Sequence, residues 1–360
     1  MKIEASPGVA LERRPPPGCV FVLMSGGVDS SVAALLLLRE GLDVAAVTMD
    51  LPGPAVVEAA RVARELAVPH YVARVGDVFR RLVVEPFVEG YLAGVTPNPC
   101  ADCNALLKFG LLWDSLEGAF GEVRVATGHY ARIVREGGRA FLARGADPHK
   151  DQSYFLSGLP RRRLPGVMLP LGGMSKTEVR SIAREAGLPA AERPESMEIC
   201  FAGEGDYRRL VEGREQKPGL LLDESGAVLG SHRGIAGFTV GQRKGLGLAS
   251  REGLYVKRID ADTGRVIVAP REGVMRRRVR AGCVNLLFPS PPEAGELLFG
   301  KTRSRGEPDP CDLVRMDGEG MEVLFHEPRF APAPGQRLVL YASDGRVVAG
   351  GVIEYCEEVE

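Results

Sequence analysis

The chain has 360 residues, of which 45% are hydrophobic and 26% are charged, and its formal net charge is −1. This composition is typical of a globular protein, and the length allows two or three domains with at least one sizeable core. The charge balance excludes an overall attraction to nucleic acid, so any site for a polyanion must be a local patch.

Local charge and cysteine content set further limits. Residues 271–306 contain eight Lys and Arg against three Glu, a net charge of +5, whereas the C-terminal EYCEEVE contains four Glu. The N-terminal stretch MKIEASPGVALERRPPPG has no apolar run typical of a signal peptide, and the run AALLLL is too short to span a membrane. Seven cysteines is an odd number, so we expect a reducing, cytoplasmic location without membrane association.

Strands and helices alternate along the first third of the chain. Strands are predicted at 19–24, 43–50, 70–75 and 122–130, and helices at 30–41, 54–68, 77–94 and 105–120. Two prolines predict a loop at 95–104, VTPNPCADCN. This alternation predicts a parallel α/β sheet with its ligands at the carboxyl ends of the strands.

The remainder of the chain changes character. Residues 132–145 predict a hairpin around Gly137–Gly138, and 175–188 predict a helix with a capping box from Ser175 to Glu178. From about residue 215 the sequence consists of strand–turn–strand units. The last third is therefore expected to be β-rich and barrel-like.

The stretch SGGVDSS, residues 25–31, directly follows the first predicted strand. Gly26 and Gly27 would let backbone N–H groups approach a phosphate at the start of the next helix. Hydroxyl donors are available from Ser25, Ser30 and Ser31. The stretch has no lysine, so it is not a Walker A loop; it matches the PP-loop pattern SGGxDS, which binds the pyrophosphate end of ATP. Asp29 would then help to organise Mg²⁺, the alternative being that it only compensates the helix dipole in an ordinary turn.

Three cysteines are candidates for chemistry. Cys100 and Cys103 form a C-x-x-C, and Cys200 lies in SMEICF. A structural zinc site would need a fourth ligand that the sequence does not offer. A redox C-x-x-C normally opens a helix in a thioredoxin-like unit, whereas this one lies in a proline-rich loop with a different pattern. The third interpretation is sulfur chemistry, in which one thiolate carries a persulfide and a second releases the sulfur. The other cysteines are expected to be small buried hydrophobes, namely Cys19, Cys283, Cys311 and Cys356.

Seven motifs occur in a fixed order: SGGVDSS, TPNPCADCNALLKFG, TGHYAR, KDQSYFL, SMEICF, GFTVGQRKGLG and KTRSR. Together they resemble the bacterial tRNA 2-thiouridylase family, MnmA (tRNA-uridine 2-sulfurtransferases), from about residue 20 to the end. The resemblance implies an α/β fold: a parallel-sheet PP-loop domain of the adenine nucleotide alpha hydrolase-like type, then a small central domain and a C-terminal β-barrel. The implied limits are 18–205, 206–272 and 273–360. It also implies ATP-dependent 2-thiolation of the wobble uridine of tRNA, position 34, with Mg²⁺ and a sulfur donor that is a cysteine desulfurase or a sulfur-relay protein.

The same resemblance assigns individual residues. Cys103 matches the family's first catalytic cysteine and Cys200 its persulfide cysteine. The implied ATP contacts are Met24, Ser25, Gly26, Gly27, Val28, Asp29, Ser30, Ser31, Met49 and Gly128. The implied contacts to the target base or to tRNA are Asn98, Pro99, Cys100, Lys150, Asp151, Gln152, Arg303 and Ser304.

The chain departs from the family in two places. Many members have Asp where this chain has Cys100, and many have a longer insert after the strand that ends near Met49. The first departure leaves Cys100, Cys103 and Cys200 as potential ligands of a [4Fe–4S] cluster, whose open iron could bind a sulfide. The competing scheme is persulfide chemistry on Cys103 and Cys200, with Cys100 as a spectator.

Several other polar groups have two interpretations each. His129 either contacts nucleotide or base, or makes one backbone bond at a strand end. Gln242, Arg243 and Lys244 either bind phosphate from their Gly-rich loop or lie on a solvated turn. The RRR runs at 161–163 and 276–278 are either tRNA contacts or solvated faces.

Two other functions compete with tRNA thiolation. A PP-loop ligase could use the same ATP site to activate a carboxylate for amidation, but this leaves the cysteines and the β-rich tail unexplained. A non-catalytic RNA-binding protein would be expected to have lost part of the SGGVDS loop or the cysteines, and neither has been lost.

Overall fold

The computed structural model describes residues 1–6, 15–192, 199–201, 207–211, 214, 216–248, 253–354 and 356. These residues divide into two compact units: the first lies within 1–82, 100–201 and 345–347, and the second within 83–99, 202–344 and 348–360. In the part of the chain described, no helix is both long and apolar enough to cross a membrane.

The first unit is built on a six-stranded sheet. Its strands are β1 (Lys2–Ala5), β2 (Val20–Leu23), β3 (Val44–Met49), β4 (His70–Arg74), β5 (Arg124–Ala126) and β8 (Val167–Met168), in the order β1-β4-β3-β2-β5-β8. All neighbours are parallel except β1, which is antiparallel to β4. A separate antiparallel hairpin consists of β6 (Ala131–Glu136) and β7 (Arg139–Arg144). The predicted parallel α/β sheet and the hairpin around Gly137–Gly138 are confirmed.

Helices α1 (Val28–Arg39) and α6 (Trp113–Phe120) lie on opposite faces of the sheet. The other helices are α2 (Ala55–Glu65), α3 (Gly76–Phe79), α5 (Pro99–Asp102) and α7 (Lys176–Glu185), with π-helical segments at Arg80–Val84 and Cys103–Leu112. Helix α4 (Glu85–Leu92) belongs to the second unit. One face buries Val20 and Val22 against Leu37 of α1. On the other, Phe21 packs against Phe120 with ring centroids 4.8 Å apart. Burial on both faces explains the continuous apolar runs of these strands.

The predicted loop at 95–104 is only half correct. Helix α5 begins at Pro99 and continues into the π-helical segment Cys103–Leu112. Proline is tolerated at the first helical position because that N–H has no partner inside the helix. The prolines therefore mark the start of a helix and place Cys100 and Cys103 on its first turns.

The second unit contains a four-stranded sheet followed by a barrel. The sheet has β9 (Gly219–Leu222), β10 (Val228–His232), β11 (Tyr255–Asp260) and β12 (Arg265–Ala269), in the order β10-β9-β12-β11. The barrel has β13 (Met275–Leu286), β14 (Leu297–Lys301), β15 (Asp309–Met316), β16 (Met321–Phe330), β17 (Arg337–Tyr341) and β18 (Val347–Ile353). It closes in the order β13-β16-β15-β14-β17-β18 around Val323, Phe325 and Leu340. Closure removes exposed sheet edges and confirms the predicted β-barrel.

Short 3₁₀ turns complete the described structure. They lie at Ser153–Leu156, Arg161–Gly166, Tyr207–Leu210, Ile235–Gly237 and Glu272–Val274. The predicted boundary at 205/206 and residues Ser196, Met197 and Glu198 of the SMEICF motif lie outside the described residues. The three domain limits stay a prediction.

Candidate active site

The glycine loop lies where β2 ends and α1 begins. Gly26 has φ +76°, and a Cβ there would lie 2.5 Å from the Cβ of Glu58, so only glycine fits. The Ser30 hydroxyl accepts from the Ser25 backbone N–H at 3.2 Å and donates to the Gly27 carbonyl at 3.1 Å. No side chain caps α1 at Gly27. The first N–H groups of a twelve-residue helix are thus left for an anion, which is what a triphosphate needs.

Residues at the ends of the neighbouring strands hold this loop in place. Met24 is buried, and its carbonyl accepts from the Thr48 hydroxyl at 2.7 Å. Met49 is the last residue of the adjacent β3. Gly128 approaches α1 so closely that a Cβ would lie 2.6 Å from the carbonyl carbon of Asp29. The predicted ATP contacts therefore lie at neighbouring strand ends in one unit.

Asp29 is joined to a lysine that sequence reasoning missed. The ammonium of Lys176 lies 2.7 and 2.8 Å from the two carboxylate oxygens of Asp29, and the Tyr130 hydroxyl donates to the same carboxylate at 2.8 Å. Lys176 is the first residue of α7, and the predicted capping box is confirmed at that helix start by Ser175 and Glu178. The loop lacks its own lysine, and this one reaches it from 147 residues away.

The signal that could have identified Lys176 was present in the sequence. Its neighbour Ser175 was correctly predicted as an N-cap, and a lysine in the first turn of a helix is unfavourable for the helix dipole. Such a lysine is expected to have an anionic partner elsewhere. The sequence does not say which anion, because that depends on how α7 packs against α1 through Val179 and Ala183.

Cys100, Cys103 and Cys200 come together in the first unit. Cys100 lies on α5, Cys103 begins the π-helical segment, and Cys200 belongs to 199–201, whose Phe201 ring packs against Phe79 at 5.5 Å. The charge of a Cys200 thiolate would reach both other thiols and raise their pKa. The two cysteine-bearing segments therefore converge as both sulfur-transfer schemes require.

Burial is the main influence on these thiols. It raises the pKa of Cys103, which is buried, to about 11. It also raises the pKa of Cys100 and Cys200, although accessible surface at both residues limits the desolvation. At pH 7 a pKa of about 11 leaves roughly one Cys103 in ten thousand as thiolate. The positive charge of Lys108 opposes this effect at all three thiols.

The cluster interpretation gains no support from the donor geometry. Among the described residues, no group of three or more His, Cys, Asp or Glu is arranged to hold a metal ion, and this includes the three cysteines. Each of them is a free thiol, as are the other four, with Cys19, Cys311 and Cys356 buried and Cys283 exposed. The prediction of buried hydrophobes is therefore wrong for Cys283, which lies on the outside of β13 at a left-handed φ of 49°.

His129 follows strand β5 and is half-buried. Its Nδ1 lies 2.8 Å from the Thr127 hydroxyl. Burial, and secondarily the charge of Lys108, lowers the pKa of His129 to about 3. The ring is therefore neutral at physiological pH, and it lies within electrostatic range of the cation that also faces the three thiols.

The 150–152 segment is held largely by its own chain. The Asp151 side chain has no exposed surface, and its carboxylate accepts from the backbone N–H groups of Gly145 and Ser153, both at 3.0 Å. Gln152 accepts from the Tyr130 N–H at 2.9 Å, and its own N–H donates to the Tyr130 carbonyl at 2.8 Å. These two side chains shape the segment, and all three predicted tRNA contacts in it stay a prediction.

In the second unit, residues of the barrel domain form hydrogen bonds with the segment that ends at Asn98. The Gln336 amide donates to the Thr96 carbonyl at 2.9 Å and accepts from the Asn98 side chain at 3.5 Å. The Thr96 N–H donates to the Pro334 carbonyl at 2.8 Å. Gly335 has φ +90°, and a Cβ there would lie 2.8 Å from the Thr96 carbonyl carbon. The 96–98 backbone is thus held in place by residues of the barrel, and Pro99 begins α5 immediately after it.

Both RRR runs include structural arginines. Arg163 lies over the Trp113 ring at 4.8 Å and forms an ion pair with Glu117 at 2.5 Å. In the second run, Arg276 is buried and donates to the Met275 carbonyl at 2.7 Å, while Arg278 is ion-paired with Glu322. These three arginines have partners within the protein, which weakens the interpretation of the runs as tRNA contacts.

The KTRSR motif combines a buried lysine with exposed arginines. Lys301 is 4% exposed, whereas Arg303 and Arg305 are exposed at a recess of about 270 Å³. The Arg303 guanidinium lies 5.3 Å from the Phe330 ring centroid and donates to the Phe330 carbonyl. Ser304 is half-buried between the two arginines. Only the arginines of this motif are presented for phosphate binding.

The Gly-rich loop at 241–247 divides its polar residues in the same way. Gln242 accepts from the Thr239 N–H and donates to the Lys244 carbonyl, both at 3.0 Å. Gln242 therefore builds the turn. Arg243 and Lys244 are exposed and remain candidates for phosphate contact.

Three family descriptions match consecutive parts of the chain. They are the tRNA methyl transferase HUP domain over residues 18–204, the tRNA methyl transferase PRC-barrel domain over 209–270 and the aminomethyltransferase beta-barrel domain over 276–353. Together with the parallel sheet and the closed barrel, they confirm the predicted succession of a PP-loop-like α/β domain, a central domain and a C-terminal β-barrel.

Full-length relatives are similar over nearly all of the chain. The tRNA-specific 2-thiouridylase MnmA of Heliobacterium modesticaldum is 44% identical over 356 residues, covering 93% of this chain and 92% of that protein. The protein of the same name from Synechococcus sp. is 41% identical and covers 94% of this chain and 98% of its own length. Among solved structures, a 4-thiouridine synthetase–RNA complex with bound ATP is 19% identical with a TM-score of 0.34, covering 51% of this chain and 45% of that chain.

Proposed function

The chain belongs to the tRNA-specific 2-thiouridylase family, and from that premise we propose that it uses ATP to replace the C2 oxygen of the wobble uridine of tRNA with sulfur. The observation that carries the proposal is the convergence of Cys103 and Cys200 in the unit that also holds the uncapped glycine loop. Activation of an oxygen and delivery of a sulfur are the two operations that 2-thiolation requires.

The glycine loop would carry out the activation. Uracil O2 attacks the α-phosphorus of ATP, the bond to pyrophosphate breaks, and the base loses its N3 proton. The loop N–H groups and the Lys176 ammonium face the phosphates, where they stabilise the negative charge on the departing pyrophosphate. Mg²⁺ would supply further neutralisation of the phosphates when bound, and Asp29 is the carboxylate within the loop that would hold it.

The cysteine pair would carry out the transfer. The terminal sulfur of a Cys200 persulfide attacks C2, the C2–O bond breaks, and AMP leaves with its electron pair. The Cys103 thiolate then attacks the Cys200 sulfur, which breaks the S–S bond and releases the thiouracil anion to take up a proton at N3. The products are 2-thiouridine and a Cys103–Cys200 disulfide, which a thiol reductant must reduce before a sulfur donor rebuilds the persulfide.

The persulfide scheme is favoured over the [4Fe–4S] scheme. A cluster needs three thiolates around a common centre, whereas the described cysteines form no such group. No step is therefore assigned to a cluster. Cys100, which stands where many family members have Asp, is left near the other two thiols without an assigned step.

The competing functions explain fewer features. The family descriptions mention methyl transfer, but a methyl group carried by a donor molecule needs no pair of converging thiols. Amidation by a PP-loop ligase leaves the same pair unused, and a non-catalytic RNA-binding protein leaves the intact loop unused. The reaction, its tRNA substrate and the free thiols fit the cytoplasm, and the sulfur donor is expected to be a cysteine desulfurase or a sulfur-relay protein.

Replacement of Cys200 by Ser tests the proposal. The variant should lose 2-thiouridine formation completely while still adenylating tRNA, because a hydroxyl cannot carry a persulfide. Nucleoside mass spectrometry of tRNA and pyrophosphate release measure the two activities separately. Retained thiolation by the purified Ser variant would contradict the assignment of Cys200.

Replacement of Cys100 by Ala separates the two sulfur schemes. The persulfide scheme predicts an iron-free protein with most of its thiolation activity, whereas the cluster scheme predicts that iron and activity are lost together. The comparison requires anaerobic purification with iron and sulfide quantification. Bound iron in the wild type that disappears with Cys100 would restore the cluster hypothesis.

A further inference from the structure

Lys108 lies one helical turn from Cys103 because the helix between them is π-helical. The segment Cys103–Leu112 has the i→i+5 pattern, so residues five apart are neighbours on successive turns. In an α-helix, residues five apart would lie about 140° apart around the axis. The wider turn therefore aligns the Lys108 side chain with the cysteine.

The position of the ammonium is set by a second residue on the same segment. Lys108 Nζ donates to the Asn104 side-chain oxygen at 3.0 Å, and the Asn104 amide donates to the Phe155 carbonyl at 3.1 Å. Asn104 is 2% exposed. A buried amide with both ends engaged is a fixed support, and it holds the lysine on the cysteine side of the helix.

The charge of Lys108 reaches every polar group of the cysteine site. It is the largest influence that opposes burial at Cys100, Cys103 and Cys200, and it also acts on His129. The charged groups facing it are the thiols themselves and Asp102, whose carboxylate raises the pKa of Cys100 and Cys103. His129 is neutral, so among the described residues Lys108 is the cation that acts on all three thiols.

We propose that Lys108 is a positioning residue of the sulfur-transfer site, whose fixed positive charge favours the anionic form of the reacting sulfur of Cys103 and Cys200 over what burial alone would allow. The inference deepens the proposed function and rests on it for the identity of the reaction. It explains why a lysine on a half-buried helix face is fixed by a buried amide. It also explains how thiols in a desolvating pocket can become nucleophiles.

The test measures thiol reactivity directly. Competitive alkylation with isotopically distinct iodoacetamides, read out by peptide mass spectrometry from pH 6 to pH 11, gives a rate for each cysteine without ATP or tRNA. The variants are Lys108→Met, Lys108→Gln, which keeps a polar partner for Asn104, and Lys108→Arg, which keeps the charge. Arg39→Met, an exposed position at the end of α1, is the matched control for loss of one positive charge.

The proposal predicts a slower reaction only where the charge is lost. At pH 8, alkylation of Cys103 and Cys200 should fall about tenfold in the Met and Gln variants, corresponding to about one pKa unit, and stay close to wild type in the Arg and control variants. The buried Cys311, whose pKa is raised by burial and by Asp312 and Asp309, should not respond. An unchanged rate profile at Cys103 and Cys200 in the Met and Gln variants would overturn the proposal.

A second readout separates this inference from the proposed function. Lys108→Met should thiolate tRNA more slowly than wild type and should recover as the pH is raised, whereas pyrophosphate release should be unaffected. Failure of the proposed function would appear instead as thiolation by Cys200→Ser, and the alkylation result would still stand. Loss of pyrophosphate release in Lys108→Met would place the lysine in the ATP site and overturn its assignment to sulfur.

Discussion

A single residue brings a lysine to the glycine loop, which has none of its own. Lys176 approaches from the start of α7 and forms a two-oxygen contact with Asp29. Asp29 therefore does more than compensate the dipole of α1, because it also positions a cation beside the uncapped helix start. The Tyr130 hydroxyl on the same carboxylate fixes its orientation.

Lys176→Met should lose adenylation and keep its fold. The lysine is expected to face the phosphates, and removal of one electrostatic stabiliser from such a site costs about a hundredfold in rate or more. Arg184→Met is the matched control, since Arg184 lies on the same helix and forms its ion pair with the exposed Glu192. Pyrophosphate release and thermal unfolding of both variants measure the effect. Wild-type pyrophosphate release by Lys176→Met would remove the lysine from the reaction.

At the residue scale, the sequence predicts which residues belong to a local motif but not which distant residues contact that motif. The glycine loop and the capping box were predicted from local patterns, and Gly128 from the family resemblance. Lys176 and Gln336 were not, because each acts on a segment more than a hundred residues away. Burial is equally hard to read from a motif, since polar residues such as Asp151 and Lys301 can be buried within the protein.

The element that most departs from expectation is the helix carrying the cysteines. Pro99 was predicted to interrupt regular structure, yet it opens α5, and the π-helical segment follows without a break. Strand β1 was missed because its residues KIEA form an edge strand stabilised by pairing with β4 and not by an apolar pattern of its own. The two-residue β8 is too short for any periodicity. Tertiary pairing decides such elements.

Gly128→Ala tests the contact between the end of β5 and the start of α1. The added Cβ would lie 2.6 Å from the Asp29 carbonyl carbon and 2.8 Å from the Ser30 nitrogen, so the loop must move. Overpacking of this kind costs about 1–3 kcal/mol, and the displaced N–H groups should weaken ATP binding at least tenfold. Calorimetric ATP titration and thermal unfolding measure both effects.

Gly118→Ala is the control for that substitution. Gly118 lies in helix α6 with open space around its Cβ position, and alanine is favoured over glycine in a helix by about 1 kcal/mol. This variant should bind ATP normally and unfold at an equal or higher temperature. Equal ATP affinity in both variants would show that the close approach at Gly128 does not shape the site.

At the scale of the whole molecule, charge is distributed unevenly in a chain of net charge −1. Much of the basic stretch 271–306 is already balanced within the barrel, since Arg278 pairs with Glu322 and Arg280 pairs with Glu354 at 3.2 Å. Arg303 and Arg305 are left exposed. The sequence count of +5 therefore overstates the charge that a polyanion would meet.

The affinity for tRNA should fall steeply with salt, and two arginines should account for a measurable part of that slope. Each phosphate contact contributes about 0.7–0.9 to the slope of log affinity against log salt, so Arg303→Gln with Arg305→Gln should flatten it by about 1 to 2. Arg278→Gln with Arg280→Gln removes the same charge from the same barrel, but from residues already paired with carboxylates, and should change the slope much less. Lys301 is left intact because it is buried in β14 and its loss would disturb the barrel itself. Filter binding from 50 to 300 mM salt gives the slopes. If both pairs of substitutions flatten the slope equally, the overall charge of the barrel, and not the exposed KTRSR arginines, determines its contribution to tRNA binding.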